Sequence, residues 1–248
     1  MAKVKSIVGI SDLQAPFHDV GATKAIARFI QWYQPYTVVS VGDEIDLPQI
    51  SRWEEGREGE WMRDLGRHRD ITVKLLQQLE VKHISRSNHS DRLYNKIVSK
   101  APGFLGLPEL EIENFLRLKE NGITYHQKPW NLAPGWLLMH GDEGNISQVP
   151  GITALNLAKR SGMSVMCGHT HRFGLSHHTT GVSGRTKSIW GFEVGNLMDY
   201  QYARYIKAGL FTWNKGFGIL HVDGNNVYPE AVPIINNSFF VAGRKFSW

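Results

Sequence analysis

Val165-Met166-Cys167-Gly168-His169-Thr170-His171, read as VMCGHTH, is a short apolar run that ends in a glycine and two histidines one residue apart. The run reads as a buried strand over Val165 to Gly168. A His-x-His pair on an extended segment directs both imidazoles to one side, which suits a metal ion. Working outward, four other apolar runs end in residues of the same kind. They deliver Asp12, then Asp43 with Asp46, then Asn88 with His89, then His140 with Asp142. Loops at strand ends are where α/β proteins place their sites. Asp and His together suit divalent ions such as Mn, Fe, Ni or Zn, and the absence of any Cys-x-x-Cys removes the commonest structural zinc design.

Each piece alone has an ordinary reading. Asp12 could cap the helix that follows it, Gly42-Asp43 is a turn, Asn88-His89 is a loop, and His140-Gly141-Asp142 is a strand end. The five in this order are hard to credit to chance. The order Asp12, Gly42-Asp43-x-x-Asp46, Asn88-His89, His140-Gly141-Asp142 and Gly168-His169-Thr170-His171 resembles the calcineurin-like metallophosphoesterase superfamily. The resemblance covers roughly positions 10 to 172 and continues into a β-rich remainder. Two positions depart from the pattern: Ser87 stands where the family has Gly, and Gln14 where it has His. The segment GDEIDLPQISRW, from Gly42 to Trp53, is similar to versions encoded by bacteriophages.

The resemblance implies an α/β fold of two facing mixed β-sheets flanked by helices. It implies two divalent metal ions, Mn first with Fe, Ni, Zn or Mg as alternatives. Asp43 would bridge them, Asp12 and His171 would hold the first, and Asn88, His140 and His169 the second. It implies phosphoester hydrolysis by a metal-bound hydroxide, with His89 as the catalytic histidine at the leaving oxygen. Asp46 would orient a neighbour, His89 among the candidates, and no covalent phospho-enzyme is required. Gln14 leaves three readings open: its amide oxygen ligates the first ion, it touches only a bound water, or His18 folds back to replace it.

The chain of 248 residues is expected to form one domain, with a helical excursion at about 48–80. Strand, helix and strand alternate through the first half, at Val4 to Ile10, Gly21 to Tyr33, Thr37 to Val41, a helix from Trp61 to Leu79, and Val81 to Ser85. The second half reads as mostly β, interrupted by a helix at Gln148 to Ser161. Apolar residues at the end, Phe239-Phe240 through Trp248, are expected to pack on the body or on a partner chain, so a homodimer is a candidate. No apolar run reaches the roughly 18–20 residues that cross a bilayer. The opening residues are too short in their apolar part for a signal peptide, and the single Cys167 allows no intramolecular disulfide. A cytoplasmic protein is expected, in the host cytoplasm if phage-encoded.

The substrate is less legible. The net charge of +5 is a mild basic bias that fits a polyanion. Arg52, Trp53, Arg57, Trp61, Arg63, Arg67 and Arg69 could grip phosphates and bases, although Glu54, Glu55, Glu58, Glu60 and Asp64 offset them and a solvated helix face explains them better. Arg172 and Arg86 are expected to meet a substrate phosphate, and Tyr200, Tyr202 and Arg204 to line the mouth of the site. A small-molecule phosphoesterase, a DNA or RNA nuclease, and a catalytically silent binding protein are the readings to separate. An intact His89 speaks against the last.

Overall fold

Val8 and Ile10 are buried against helices on one side of the first strand, and Ile7 is buried against a second sheet on the other. A strand covered on both faces has no reason to alternate polar and apolar residues, which is why SIVGI reads as a continuous apolar run. The computed structural model describes residues 4–203 and 212–248. Its first sheet has β1 (Lys5–Ile10), β2 (Thr37–Ser40), β3 (Val81–Ser85) and β4 (Thr124–His126) in parallel. The second sheet is built from β5 (Trp130–Ala133), β6 (Trp136–Leu138), β7 (Ser164–Cys167), β8 (Phe173–Val182) and β9 (Arg185–Val194), in the order β5-β6-β7-β9-β8. Antiparallel β10 (Gly216–Asp223) and β11 (Asn226–Pro233) extend the first sheet beside β1, giving the order β11-β10-β1-β2-β3-β4. Both sheets are mixed, because β6, β7 and β9 run parallel while β5 and β8 pair antiparallel to their neighbours.

The sheets face each other across one apolar cluster. Ile7, Val39, Val41 and Leu220 of the first meet Leu138, Val165, Met166 and Phe192 of the second. On the outer face of the first sheet lie α1 (Val20–Tyr33) and α2 (Leu65–Gln78), burying Ala22, Ile26, Phe29, Leu75 and Leu76 against Val8, Ile10 and Val38. The Asp19 side chain caps α1 by accepting from the Ala22 amide at 2.9 Å, so the helix starts where the apolar spacing starts. Two further helices, α3 (Asp91–Lys100) and the single turn α4 (Ile112–Phe115), follow β3, and α5 (Ile152–Ser161) packs on β7 and β9. This is the expected pair of facing mixed sheets flanked by helices.

The differences from expectation are local. The helix expected from Trp61 begins at Leu65, because Asp64 takes a left-handed backbone, φ +74°, that a right-handed helix cannot run through; 3-10 turns at Pro48–Ile50 and Arg52–Glu54 come before it. The apolar C-terminus packs on the body: a hairpin of β12 (Ser238–Val241) and β13 (Arg244–Ser247) places Phe239 and Phe246 against Phe29. Among the described residues no helix is long and apolar enough to cross a membrane.

Candidate metal centre

The ends of β1 and β2 are laced together. The Asp12 amide donates to Gly42 O at 3.1 Å and the Gln14 amide to Asp43 O at 2.9 Å. This register brings Asp12 and Asp43, both almost fully buried, next to each other under the end of β7. There the His169 amide donates to Asp12 Oδ2 at 3.0 Å. Ligand atoms of Asp12, Asp43 and His171 lie within 4.8 Å of one another, and so do those of Asp43, His140 and His169. Asp43 belongs to both groups, so two three-residue nests share one carboxylate.

The two motif glycines are required by contact. A Cβ on Gly168 would sit 1.8 Å from Ser11 Oγ and 2.5 Å from Asp12 Oδ2. One on Gly42, at φ +117°, would sit 2.5 Å from His140 Nδ1. The backbone at this cluster is also unusual. Asp12, Gln14, Asp43, His169 and His171 all have φ between 52° and 66°, the left-handed region that costs a non-glycine residue energy. The extended His-x-His segment expected from the sequence is therefore corrected. β7 stops at Cys167, and the two imidazoles are aimed by two left-handed residues flanking Thr170.

Electrostatics explain how such groups share a buried site. Burial pushes the Asp43 carboxyl up, but His89 and His140 outweigh it and hold it well below the usual carboxylate range. Burial likewise opposes ionisation of Asp12, and the His171 imidazole, 3.0 Å away, brings it below its ordinary value. His140 Nδ1 faces Val41 O at 3.0 Å, leaving Nε2 towards Asn88 Oδ1 at 2.9 Å and Asp43 Oδ1 at 3.4 Å. Burial lowers its pKa, but Asp43 raises it to about 10. Burial and the neighbouring His140 push His169 the other way. A third carboxyl, Glu44, is raised by burial to about 7 and receives the Ser40 hydroxyl at 2.6 Å.

The donor set fits divalent cations. It offers carboxylates and imidazoles in two nests, together with a buried acceptor lacking a hydrogen bond, Gln14 Oε1. Gln14, 1% exposed, lies on the shared ligand: its Nε2 donates to Asp43 Oδ2 at 3.1 Å. His18 joins neither nest among the described residues; its neighbour is Met198, across a backbone bridge.

His89 stands beside the nests. Its Nε2 is 3.6 Å from Asp43 Oδ2 and its Nδ1 is 3.2 Å from Asp46 Oδ1. Burial raises Asp46, and His89 and Arg92 together bring it below its ordinary value. These groups open on a cavity of about 370 Å³ lined also by Trp53, Arg57, Asn88, Arg92 and Trp213.

Arg172 is placed differently from expectation, and Arg86, which lines a neighbouring cavity, is tied to two carboxylates. Arg172 is 6% exposed, donates to Gln148 Oε1 at 2.6 Å and to Thr170 O at 3.3 Å, and does not line the cavity. It braces the ligand turn from behind. Arg86 Nη1 donates to both carboxylate oxygens of Asp142, at 2.7 and 2.8 Å, and its Nε donates to Asp91 at 2.9 Å. Tyr200 and Tyr202 pack beside Trp213 and Phe17 rather than in the cavity wall, and Arg204 lies outside the described residues. Two cavity residues were not anticipated. Arg92 follows His89 by one helical turn, a spacing that could have flagged it. Trp213, whose ring is 4.0 Å from that of His171, carried no signal.

No family model matches the chain. It is 38% identical over 249 residues to the Gene 54 protein of Mycobacterium phage D29, covering 97% of this chain and 98% of that one. With the Gene 54 protein of Mycobacterium phage L5 it shares 36% over 249 residues at the same coverage. The chain belongs to the Gene 54 protein family of mycobacteriophages. Among solved structures it is similar to Vps29 from Cryptosporidium parvum (15% identity, all of both chains, TM-score 0.49). It is also similar to Vps29 complexed with Zn from Entamoeba histolytica (11%, 98% of each, TM-score 0.48). A third is a predicted phosphoesterase from Streptococcus pneumoniae (12%, all of both chains, TM-score 0.42). The Gene 54 family thus supplies phage relatives along the whole fold, and the chemistry must be argued from this chain's own residues.

Proposed function

We propose that this Gene 54 family member is a metal-dependent phosphoesterase of the calcineurin-like type, cleaving phosphodiester or phosphomonoester bonds with two divalent cations. The observation that carries the reading is Asp43, common to two acid–histidine nests with His89 at its side. Asp12 and His171, with the Gln14 amide beside them, would hold one ion, and Asn88, His140 and His169 the other. When bound, the pair supplies neutralising charge for the phosphoryl oxygens and lowers the pKa of a water. Mn is the first choice, because carboxylate, amide and imidazole donors without thiolate suit a borderline-to-hard ion.

The chain's own groups have distinct tasks. Asp43 must be a carboxylate, since a neutral imidazole nitrogen cannot serve two cations at once. His89 faces the cavity beside the nests and is assigned to the leaving oxygen, as proton donor or as stabiliser of its charge. Asp46 fixes the His89 ring from the other side. Arg92 and Arg57 place positive charge in the cavity wall where a phosphate diester would rest. Cys167 is fully buried, and burial raises its thiol pKa, so it is a core residue and not a nucleophile.

The test is hydrolysis of bis-p-nitrophenyl phosphate by metal-stripped protein supplied with Mn, Ni, Zn or Mg, beside Asp43→Asn. Turnover restored by Mn and lost in the variant is expected. No turnover with any of the four would favour a silent binding protein on this fold.

A further inference from the structure

We propose that the cleft leading away from the metal centre is a track for single-stranded nucleic acid, with a base stacked on Trp53 and phosphates held along α3. The track deepens the phosphoesterase reading and rests on it for cleavage, though not for binding. The cavity at the centre shares Ser51, Trp53, Asn88 and Arg92 with a second one of about 640 Å³. Its floor is α3, which begins two residues after His89 and so carries its side chains outward from the reacting position. Arg92, Lys96 and Lys100 recur every fourth residue along that wall, one cation per roughly 6 Å of helix. Asn95 and Ser99 lie between them as neutral hydrogen-bonding groups.

The facing wall holds Trp53, 65% exposed, with the Arg52 guanidinium 4.7 Å over its ring. Cations in a row beside an open indole match a strand with regularly spaced phosphates and unpaired bases. A mononucleotide would leave the outer lysines unused, and a phosphopeptide would leave the indole unused. Three acids stand in the way. Asp91 is committed to Arg86, whereas Glu55 is shared between Lys96 at 3.3 Å and Lys100 at 3.7 Å, and Glu60 lies 3.7 Å from Lys96. Glu55 is exposed and its pairs reach solvent, where ion pairs hold weakly, so arriving phosphates can displace it.

The experiment is fluorescence anisotropy of a labelled oligothymidylate with the full chain in EDTA, across a salt series. Wild-type protein should bind with a steep salt dependence. Lys96→Glu with Lys100→Glu should weaken binding at least about tenfold and lower the salt slope by about 1.4, two contacts at about 0.7 each. Trp53→Ala should cost roughly tenfold with the slope unchanged. Glu55→Lys should bind more tightly and more steeply, a gain that misfolding cannot imitate. No binding at low salt, or a slope indifferent to the lysine changes, overturns the track. Parallel assays on bis-p-nitrophenyl phosphate separate the two claims. Turnover without oligonucleotide binding sinks the track alone, while binding without turnover sustains the track and sinks the hydrolytic reading.

Discussion

Arg92 Nη2 lies 2.6 Å from His89 Nε2. A guanidinium has no lone pair to offer, so the imidazole must accept at Nε2 and carry its proton on Nδ1. That nitrogen is the one 3.2 Å from Asp46 Oδ1. Asp46 and Arg92 thus hold the ring from opposite sides and select one tautomer in the resting site; to donate to a leaving oxygen, Nε2 must first take up a proton and part from Arg92. Asp46→Asn keeps the shape but weakens the partner for Nδ1. The expected result is a fall in kcat of about 10- to 100-fold with KM little changed, the usual scale for a group acting through a neighbour. Steady-state kinetics on bis-p-nitrophenyl phosphate would decide it, and an unchanged kcat would remove Asp46 from the machinery.

If His89 serves the leaving oxygen, its importance must depend on how poor that leaving group is. His89→Asn should lose about 10²- to 10⁴-fold with a poor leaving group and markedly less with p-nitrophenolate, which departs without a proton. A series of aryl phosphodiesters of graded leaving-group pKa measures this directly. A loss of equal size across the series would assign His89 to binding instead of proton transfer.

The contrast between Arg92 and Arg172 shows where sequence reading stops. Strands β1, β2 and β7 were legible because burial on both faces removes polar residues, β3 was legible from Val81 and Ile84 despite its exposed Lys82, and the strand ends were legible because Asp, Asn and His residues follow closely. Side-chain partners depend on tertiary placement. Arg172 adjoins the GHTH motif yet is taken up by Gln148 and Thr170 O, whereas Arg92 lies on an unanticipated helix and reaches His89. α3 was missed although Leu93, Tyr94, Ile97 and Val98 fall at helical spacing, because the stretch is mostly polar and buries only Leu93. The left-handed backbone at His169 and His171 was hidden for a different reason: non-glycine residues rarely adopt it unless surrounding structure compels them.

His140 makes the metal-free protein sensitive to alkali. Its folded pKa, raised to about 10, exceeds its ordinary 6.5, so the folded state holds this proton more tightly than the unfolded chain. The stabilisation is complete below about pH 6.5 and is lost as pH rises through the folded value. Glu44, raised to about 7 from 4.5, makes its own contribution at lower pH, so most of the decline above pH 7 belongs to His140. Thermal melting of metal-stripped protein should show a midpoint falling between about pH 7 and 10, and His140→Gln should flatten that slope. A wild-type midpoint constant over the same range would contradict it.

Gln14 occupies the position where the resembling family carries histidine, and here its amide nitrogen donates to the shared Asp43 while its Oε1 is buried without a hydrogen bond. A neutral amide oxygen binds a borderline ion less strongly than imidazole does, so the Asp12–His171 nest should release its ion first. Dialysis followed by elemental analysis should therefore find one ion retained more tightly than the other. Gln14→His should bring the two retentions together and shift preference from Mn towards Zn or Ni, since imidazole is the softer donor. Equal retention in the unaltered protein would show that Gln14 costs the site nothing. Early release that Gln14→His does not cure would place the weakness elsewhere, in the packing of Asp12 against Ser11 and His169.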